Sequence, residues 1–122
     1  VVFKHFMLKV AEAFALKKDY RAIVTGDSLA QVASQTLGNI QATSLGITVP
    51  IFRPLIGFDK EEIMDLAKGI GTYELSIEEY KDCCSIKAKK ALTSVPIEKM
   101  ETVLGGIPLD SLVSSTVKLI SE

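Results

Sequence analysis

The stretch Arg21-Ala-Ile-Val-Thr-Gly-Asp-Ser-Leu-Ala-Gln-Val-Ala-Ser-Gln35 decides the fold. Ala22, Ile23 and Val24 form a continuous apolar run, the pattern of a strand covered on both faces, and predict a strand at about 21–25. Gly26 follows; a glycine there lets the backbone turn sharply or approach a ligand closely. Asp27 or Ser28 is then placed to cap a helix over about 28–40. Strand, glycine turn and capped helix present free backbone N–H groups at the carboxyl edge of a parallel sheet, where α/β proteins bind ligands.

The polar side of that helix carries a second signal. At about 100° per residue, Leu29, Val32, Ala33, Leu37 and Ile40 share one face, and Ser28, Gln31, Gln35 and Asn39 share the other. No charged residue lies between Asp27 and Arg53. A helix facing bulk water normally carries Lys and Glu. A face of amides and hydroxyls suits a surface covered by a nucleotide, another domain or another subunit; the plain alternative is a neutral solvent face. Ser28 and Gln31 have capping-box spacing, which makes Gln31 structural. Gln35, one turn further on, has no such local role and is the better ligand contact.

Working outward, residues 2–18 have helical periodicity, with Phe6, Val10, Ala13 and Phe14 on one side and Lys4, Lys9, Lys17 and Lys18 mostly elsewhere. Ile47-Thr-Val-Pro-Ile-Phe52 is the next strand candidate, shortened or held at an edge by Pro50, which donates no hydrogen bond. Arg53-Pro-Leu-Ile-Gly57 is then a loop at its carboxyl end. Asp59-Lys-Glu-Glu62 opens a helix with a capping box, Ile63, Leu66, Ala67 and Ile70 form its expected buried stripe, and Gly69 and Gly71 end it. Thr72–Ile77 alternates polar with apolar and reads as extended. Three helices are expected at about 85–92, 96–104 and 108–121, with Pro96 and Pro108 in first turns and Gly105-Gly106 between the last two. Two strands alone bury little, so the rest of the sheet is expected from a missing N-terminal half or from a second copy.

The totals narrow the class. A chain of 122 residues is one domain at most, and 48% hydrophobic with 24% charged residues is an ordinary globular balance. A net charge of −1 offers no overall pull on nucleic acid. No apolar run approaches the length of a membrane span. The opening Val-Val-Phe-Lys reads as the middle of a longer protein. The adjacent pair Cys83 and Cys84 makes no disulfide framework and points to a reducing cytoplasm.

Four blocks occur in order along the chain: Thr25-Gly-Asp-Ser-Leu-Ala-Gln-Val-Ala-Ser-Gln-Thr-Leu-Gly-Asn-Ile40, Arg53-Pro-Leu-Ile-Gly-Phe-Asp-Lys-Glu-Glu-Ile63, Ala67-Lys-Gly-Ile-Gly-Thr-Tyr-Glu74 and Tyr80-Lys-Asp-Cys-Cys84. Together they resemble the tRNA 4-thiouridine sulfurtransferases, the ThiI family, continuously from about residue 4 to 85. The resemblance implies an α/β fold, part of a Rossmann-like parallel sheet of the PP-loop ATPase type flanked by helices, with a helical C-terminal segment. It divides the chain into 1–85, the C-terminal half of that domain, and 86–122, a helical extension of it. The implied activity is ATP-dependent adenylation of uridine 8 of tRNA, with persulfide sulfur then displacing AMP to give 4-thiouridine; some members also donate sulfur to the thiazole of thiamine. ATP contacts fall on Lys4, Gly26 and Gln35, with Mg2+ accompanying the nucleotide. The sulfur-handling cysteine falls on Cys83, or on Cys84 if the doublet shifts the alignment by one. The implied partners are tRNA and a cysteine desulfurase or another sulfur donor. The family's pyrophosphate-binding Ser-Gly-Gly-x-Asp-Ser loop does not occur in the sequence.

Several residues keep a plain reading beside the functional one. Lys4 is either a solvated helix residue or a counter-charge for phosphate. Arg53 either contacts substrate or pairs with an acid such as Asp59. Asp27 would repel an anion at the turn, which favours ribose or base there over phosphate. The cysteines sit among polar neighbours, where Lys81 or Lys87 would favour the thiolate and Glu78, Glu79 and Asp82 would oppose it. His5 reads as a surface or helix-packing residue, since one histidine and two adjacent cysteines make no zinc pattern. Lys87-Ala-Lys-Lys90 reads as a solvated face. The rivals are a non-catalytic module dimerising through its sheet edge, a thiamine-pathway sulfur carrier acting without tRNA, and a small cysteine redox protein.

Overall fold

A computed structural model describes residues 1–29, 35–79 and 94–121. The elements run α1 (Val2–Lys17), β1 (Ile23–Val24), α2 (Leu37–Thr43), β2 (Ile51–Phe52), α3 (Lys60–Gly69), α4 (Tyr73–Ser76), α5 (Ile97–Gly105) and α6 (Leu109–Ser121). β1 and β2 pair in parallel, Ile23 opposite Ile51 and Val24 opposite Phe52. Two ladder bonds fix that register, Ile23 N–H to Pro50 O at 2.9 Å and Thr25 N–H to Phe52 O at 3.0 Å. Pro50 sits just ahead of β2 and contributes only its carbonyl, as its missing N–H requires. The expected α/β arrangement is present: a parallel pair, helical connections and a helical C-terminus.

α1 is the centre of the packing. It lies against α6, α2 and β1. Its buried line is His5, Leu8, Glu12 and Ala15, spaced as one helix face. The expected apolar side, Phe6, Val10, Ala13 and Phe14, is only half-buried. Two polar groups take the interior because partners meet them. His5 Nδ1 donates to Thr43 O at 3.0 Å, and Glu12 accepts from Thr48 N–H at 2.5 Å and Thr48 Oγ1 at 2.7 Å. Buried polar groups survive only when bonded, and these tie α1 to the end of α2 and to the segment ahead of β2. His5 is thus a helix-packing residue. Met100 of α5, with Val113 and Val117 of α6, completes the core.

Three local expectations are overturned. The helix expected at 28–40 is represented, among the described residues, by α2 alone; Thr36 caps it, accepting from Asn39 N–H at 3.4 Å. Ser28 Oγ donates to Phe58 O at 2.6 Å and Leu29 N–H reaches Ile56 O at 3.1 Å, while the turn that Ser28 is expected to cap lies outside the described residues. These bonds tie the loop after β1 to the loop after β2. Thr72–Ile77 is not extended but holds the short helix α4 (Tyr73–Ser76), since no strand lies alongside among the described residues and the local bond from Ser76 N–H to Thr72 O (3.1 Å) takes the backbone groups. The stripe on α3 is not buried: the Asp59–Glu62 capping box forms as expected, yet Ile70 is 73% exposed and the helix buries no residue. Gly71 adopts φ +76, the left-handed conformation that stops α3 at little cost. The helices expected at 96–104 and 108–121 are α5 and α6, while the one at 85–92 lies outside the described residues. No single described helix is long and apolar enough to cross a membrane.

Candidate functional site

The carboxyl ends of β1 and β2 lie at one edge because the strands are parallel and in register. Gly26 and Asp27 follow β1 there, and Arg53 follows β2. α1 brings Lys4 to the same place. The carboxylate of Asp27, a residue only 3% exposed, collects all of them. Lys4 Nζ donates to Oδ1; Thr25 Oγ1 (2.8 Å) and Arg53 Nε (3.1 Å) donate to Oδ2. Arg53 continues the chain of bonds, its Nη2 donating to Ser44 Oγ at 2.7 Å, and Ser44 Oγ donating to Ile40 O at 2.7 Å. Burial alone would raise the Asp27 carboxyl, but the bonds from Lys4, Thr25 and Arg53 and the Lys4 charge outweigh it and hold the group below its ordinary value. Asp27 is therefore ionised, with two cations set on one anion. The cluster of Lys4, Asp27 and Arg53 carries a net positive charge, which reverses the expectation that Asp27 makes this turn repel anions.

Gly26 is exposed, and its φ is not in the left-handed region. A Cβ added to it meets nothing within 4 Å among the described residues. The fold thus makes no demand for glycine at this corner. Of its two expected uses, the sharp turn is not required by the conformation, while the open approach is available.

Gln35, the expected ligand contact, lies just ahead of the Thr36 cap. Its Oε1 is buried and accepts no hydrogen bond among the described residues. An orphaned buried acceptor costs about 1–3 kcal/mol, so the atom is poised to take a donor. Asn39 has a different role from the one its place on the helix wheel suggests. It is fully buried, and its Oδ1 accepts from Val95 N–H at 2.9 Å, tying α2 to the segment before α5. Gly38 beside it leaves room for that segment, since a Cβ there would lie 3.3 Å from Ser94 Oγ. Leu37, assigned to the buried face, is 76% exposed. The faces of this helix are exchanged at these positions because α2 packs on the 94–95 segment through its amide.

Lys4 is thus ion-paired and only partly exposed, its ammonium held by the residue that follows Gly26. Arg53 pairs with Asp27 and not with Asp59. Cys83, Cys84, Gln31 and the Lys87–Lys90 cluster lie outside the described residues. Asp27 itself was missed as a site residue. Its signal was present: Asp27 and Arg53 are the two charges bounding the uncharged span, and each lacks another charge nearby in that span to pair with. No group of three His, Cys, Asp or Glu able to hold a metal occurs among the described residues.

The family model for thiamine biosynthesis protein (ThiI) matches residues 1–108. A probable tRNA sulfurtransferase of Caldanaerobacter subterraneus subsp. tengcongensis is 46% identical over 104 residues, covering 85% of this chain and 27% of that protein. The probable tRNA sulfurtransferase of Thermus thermophilus is 43% identical over 119 residues, 97% of this chain and 29% of its own length. One from Saccharolobus islandicus is 52% identical over 100 residues, 82% of this chain and 26% of its own. Among solved structures, a 4-thiouridine synthetase–RNA complex with bound ATP superimposes with a TM-score of 0.86 at 37% identity, over 95% of this chain and 31% of that one. The chain spans between a quarter and a third of the length of these relatives.

Proposed function

The chain belongs to the ThiI family, and from that premise we propose that it supplies the adenine-nucleotide contacts and the sulfur-relay cysteine of an ATP-dependent tRNA sulfurtransferase. The reaction is conversion of uridine 8 of tRNA to 4-thiouridine in the cytoplasm, with sulfur also passing to thiamine thiazole. ATP, accompanied by Mg2+, would supply the adenylate that turns the uridine oxygen into a leaving group. tRNA is the acceptor, and a cysteine desulfurase or another persulfide source is the donor; the similar solved structure is itself an RNA complex with bound ATP.

The observation that carries this reading is the corner at Gly26. A position with no conformational need for glycine, open on its Cβ side, adjoins a buried carboxylate that holds two cations. Glycine there allows a ligand to reach the backbone. The residues fit a nucleotide: Lys4 offers its remaining ammonium protons to phosphate, and the orphaned Gln35 Oε1 suits a donor such as an adenine amine. Asp27 holds Lys4 over the corner, so the cation is in place before a ligand arrives. Cys83 or Cys84, as the nucleophilic thiolate, takes the outer sulfur of the donor's persulfide, and the donor leaves as its own thiolate.

Calorimetric titration of ATP and AMP into the protein tests the reading. Saturable heat with mutual competition is expected. Absence of heat with both, together with self-association in light scattering, would favour a dimerising module that keeps the fold without the chemistry.

A further inference from the structure

Arg53 has a capacity that its protein bonds leave unused. Its Nε is held by Asp27 at 3.1 Å and its Nη2 by Ser44 at 2.7 Å, while Nη1 makes no hydrogen bond among the described residues. The side chain is 16% exposed, so Arg53 is largely sheltered without being closed off from solvent. Two anchors on different elements fix the plane of the group. Asp27 lies on the loop after β1 and Ser44 follows α2, so the two anchors come from separate parts of the chain. A guanidinium fixed in this way has already lost the rotamer freedom that a flexible cation would lose on binding.

Its placement matters as much as its rigidity. Thr25 N–H bonded to Phe52 O at 3.0 Å puts the first residue past β2 level with the Gly26 corner. Lys4 stands on the other oxygen of the same carboxylate. One negative and two positive charges leave an excess positive charge beside an open backbone corner. A planar fork with a free terminal nitrogen, next to an ammonium, is chemistry suited to an oxyanion with several oxygens.

We propose that Arg53 is a further nucleotide-binding residue, taking a phosphate oxygen through Nη1 beside the Gly26 corner. The inference rests on the nucleotide reading above and extends it to a residue at the end of the second strand. Asp27 and Ser44 are its positioning residues: they touch the guanidinium and not the phosphate.

Titration of ATP and of adenosine into the wild-type protein and into Arg53→Gln and Arg53→Lys tests this. A phosphate contact is felt by ATP and not by adenosine, whereas a merely structural arginine affects both alike. Arg53→Gln is expected to weaken ATP roughly ten-fold or more, the range for a charged hydrogen bond, and adenosine by less than about two-fold. Arg53→Lys keeps a cation beside Asp27 but lacks the second terminal nitrogen, and is expected to lose most of the same ATP preference. It decides the question if the glutamine variant does not fold. Equal losses for ATP and adenosine, or none for either, would overturn the assignment of Arg53 and leave the nucleotide reading standing. Wild-type protein that binds neither ligand would overturn both.

Discussion

Arg53 Nε donates to Asp27 Oδ2 at 3.1 Å, joining the two charges that bound the chain's long uncharged span. The bond draws the ends of β1 and β2 together at the edge where α1 delivers Lys4. Removing the carboxylate leaves two part-buried cations facing each other. Asp27→Ala is therefore expected to cost about 1–3 kcal/mol, below the roughly 3–5 kcal/mol of a broken, fully buried pair because both cations retain some water. Urea unfolding measures it. Wild-type stability in this variant would mean that the carboxylate holds nothing together.

The acid limb of stability follows from Asp27 and Glu12. Burial raises the Glu12 carboxyl, but the bonds from Thr48 N–H and Oγ1 and then from Lys9 bring it below its ordinary 4.5; Asp27 lies below its ordinary 3.8. Both folded values are depressed, so the unfolded chain takes up protons first as pH falls. The contribution is full above the ordinary values and is lost as pH drops through them toward the lower folded values. Urea midpoints should hold from pH 7 to about 5 and then decline. The double variant Glu12→Gln, Asp27→Asn should start lower and show a shallower decline; an unchanged acid limb in that variant counts against the assignment.

Gly26 separates fold from function. Alanine there meets no atom within 4 Å among the described residues and no left-handed φ, so Gly26→Ala should leave stability unchanged or raise it by about 0.4–1 kcal/mol. If the nucleotide lies against this backbone, the added methyl should weaken ATP binding roughly ten-fold, about 1.4 kcal/mol. Thermal melts and calorimetry on one preparation read both. Loss of stability with unchanged affinity is the contrary result.

The sulfur-relay assignment is tested one cysteine at a time. Cys83→Ser in the tRNA-modifying protein is expected to abolish 4-thiouridine in tRNA and Cys84→Ser to spare most of it, since the thiolate nucleophile has no substitute in a serine hydroxyl. Mass analysis of digested tRNA gives the readout. Full modification in both variants removes the cysteines from the reaction.

Much of the frame was legible in the sequence because it depends on local chemistry. Ile23 and Val24 form a strand, Asp59 and Glu62 close their capping box, and Gly71 stops α3 in the left-handed conformation. The capping box and the glycine stop depend on residues within a few positions of one another, and the strand is announced by a local apolar run although its partner lies 28 positions away. What failed depended on distant partners. Leu37 and Asn39 were assigned faces from the period of the helix, yet α2 meets Val95 through the Asn39 amide and leaves Leu37 in water. The alternation of Thr72–Ile77 suits a strand only where another strand lies beside it, and none does among the described residues. The α3 stripe was legible as a pattern, but nothing described covers it.

The amino-acid order by itself determined the element types at the strongest signals, the glycine corner and the family to which the chain belongs, since propensity, capping and motif are written along the chain. Tertiary structure alone decided the electrostatics of that corner. An aspartate read in isolation repels phosphate; the same aspartate between Lys4 and Arg53 organises a positively charged edge. Charge in a site is a sum over neighbours in space, and those neighbours lie 23 and 26 positions away.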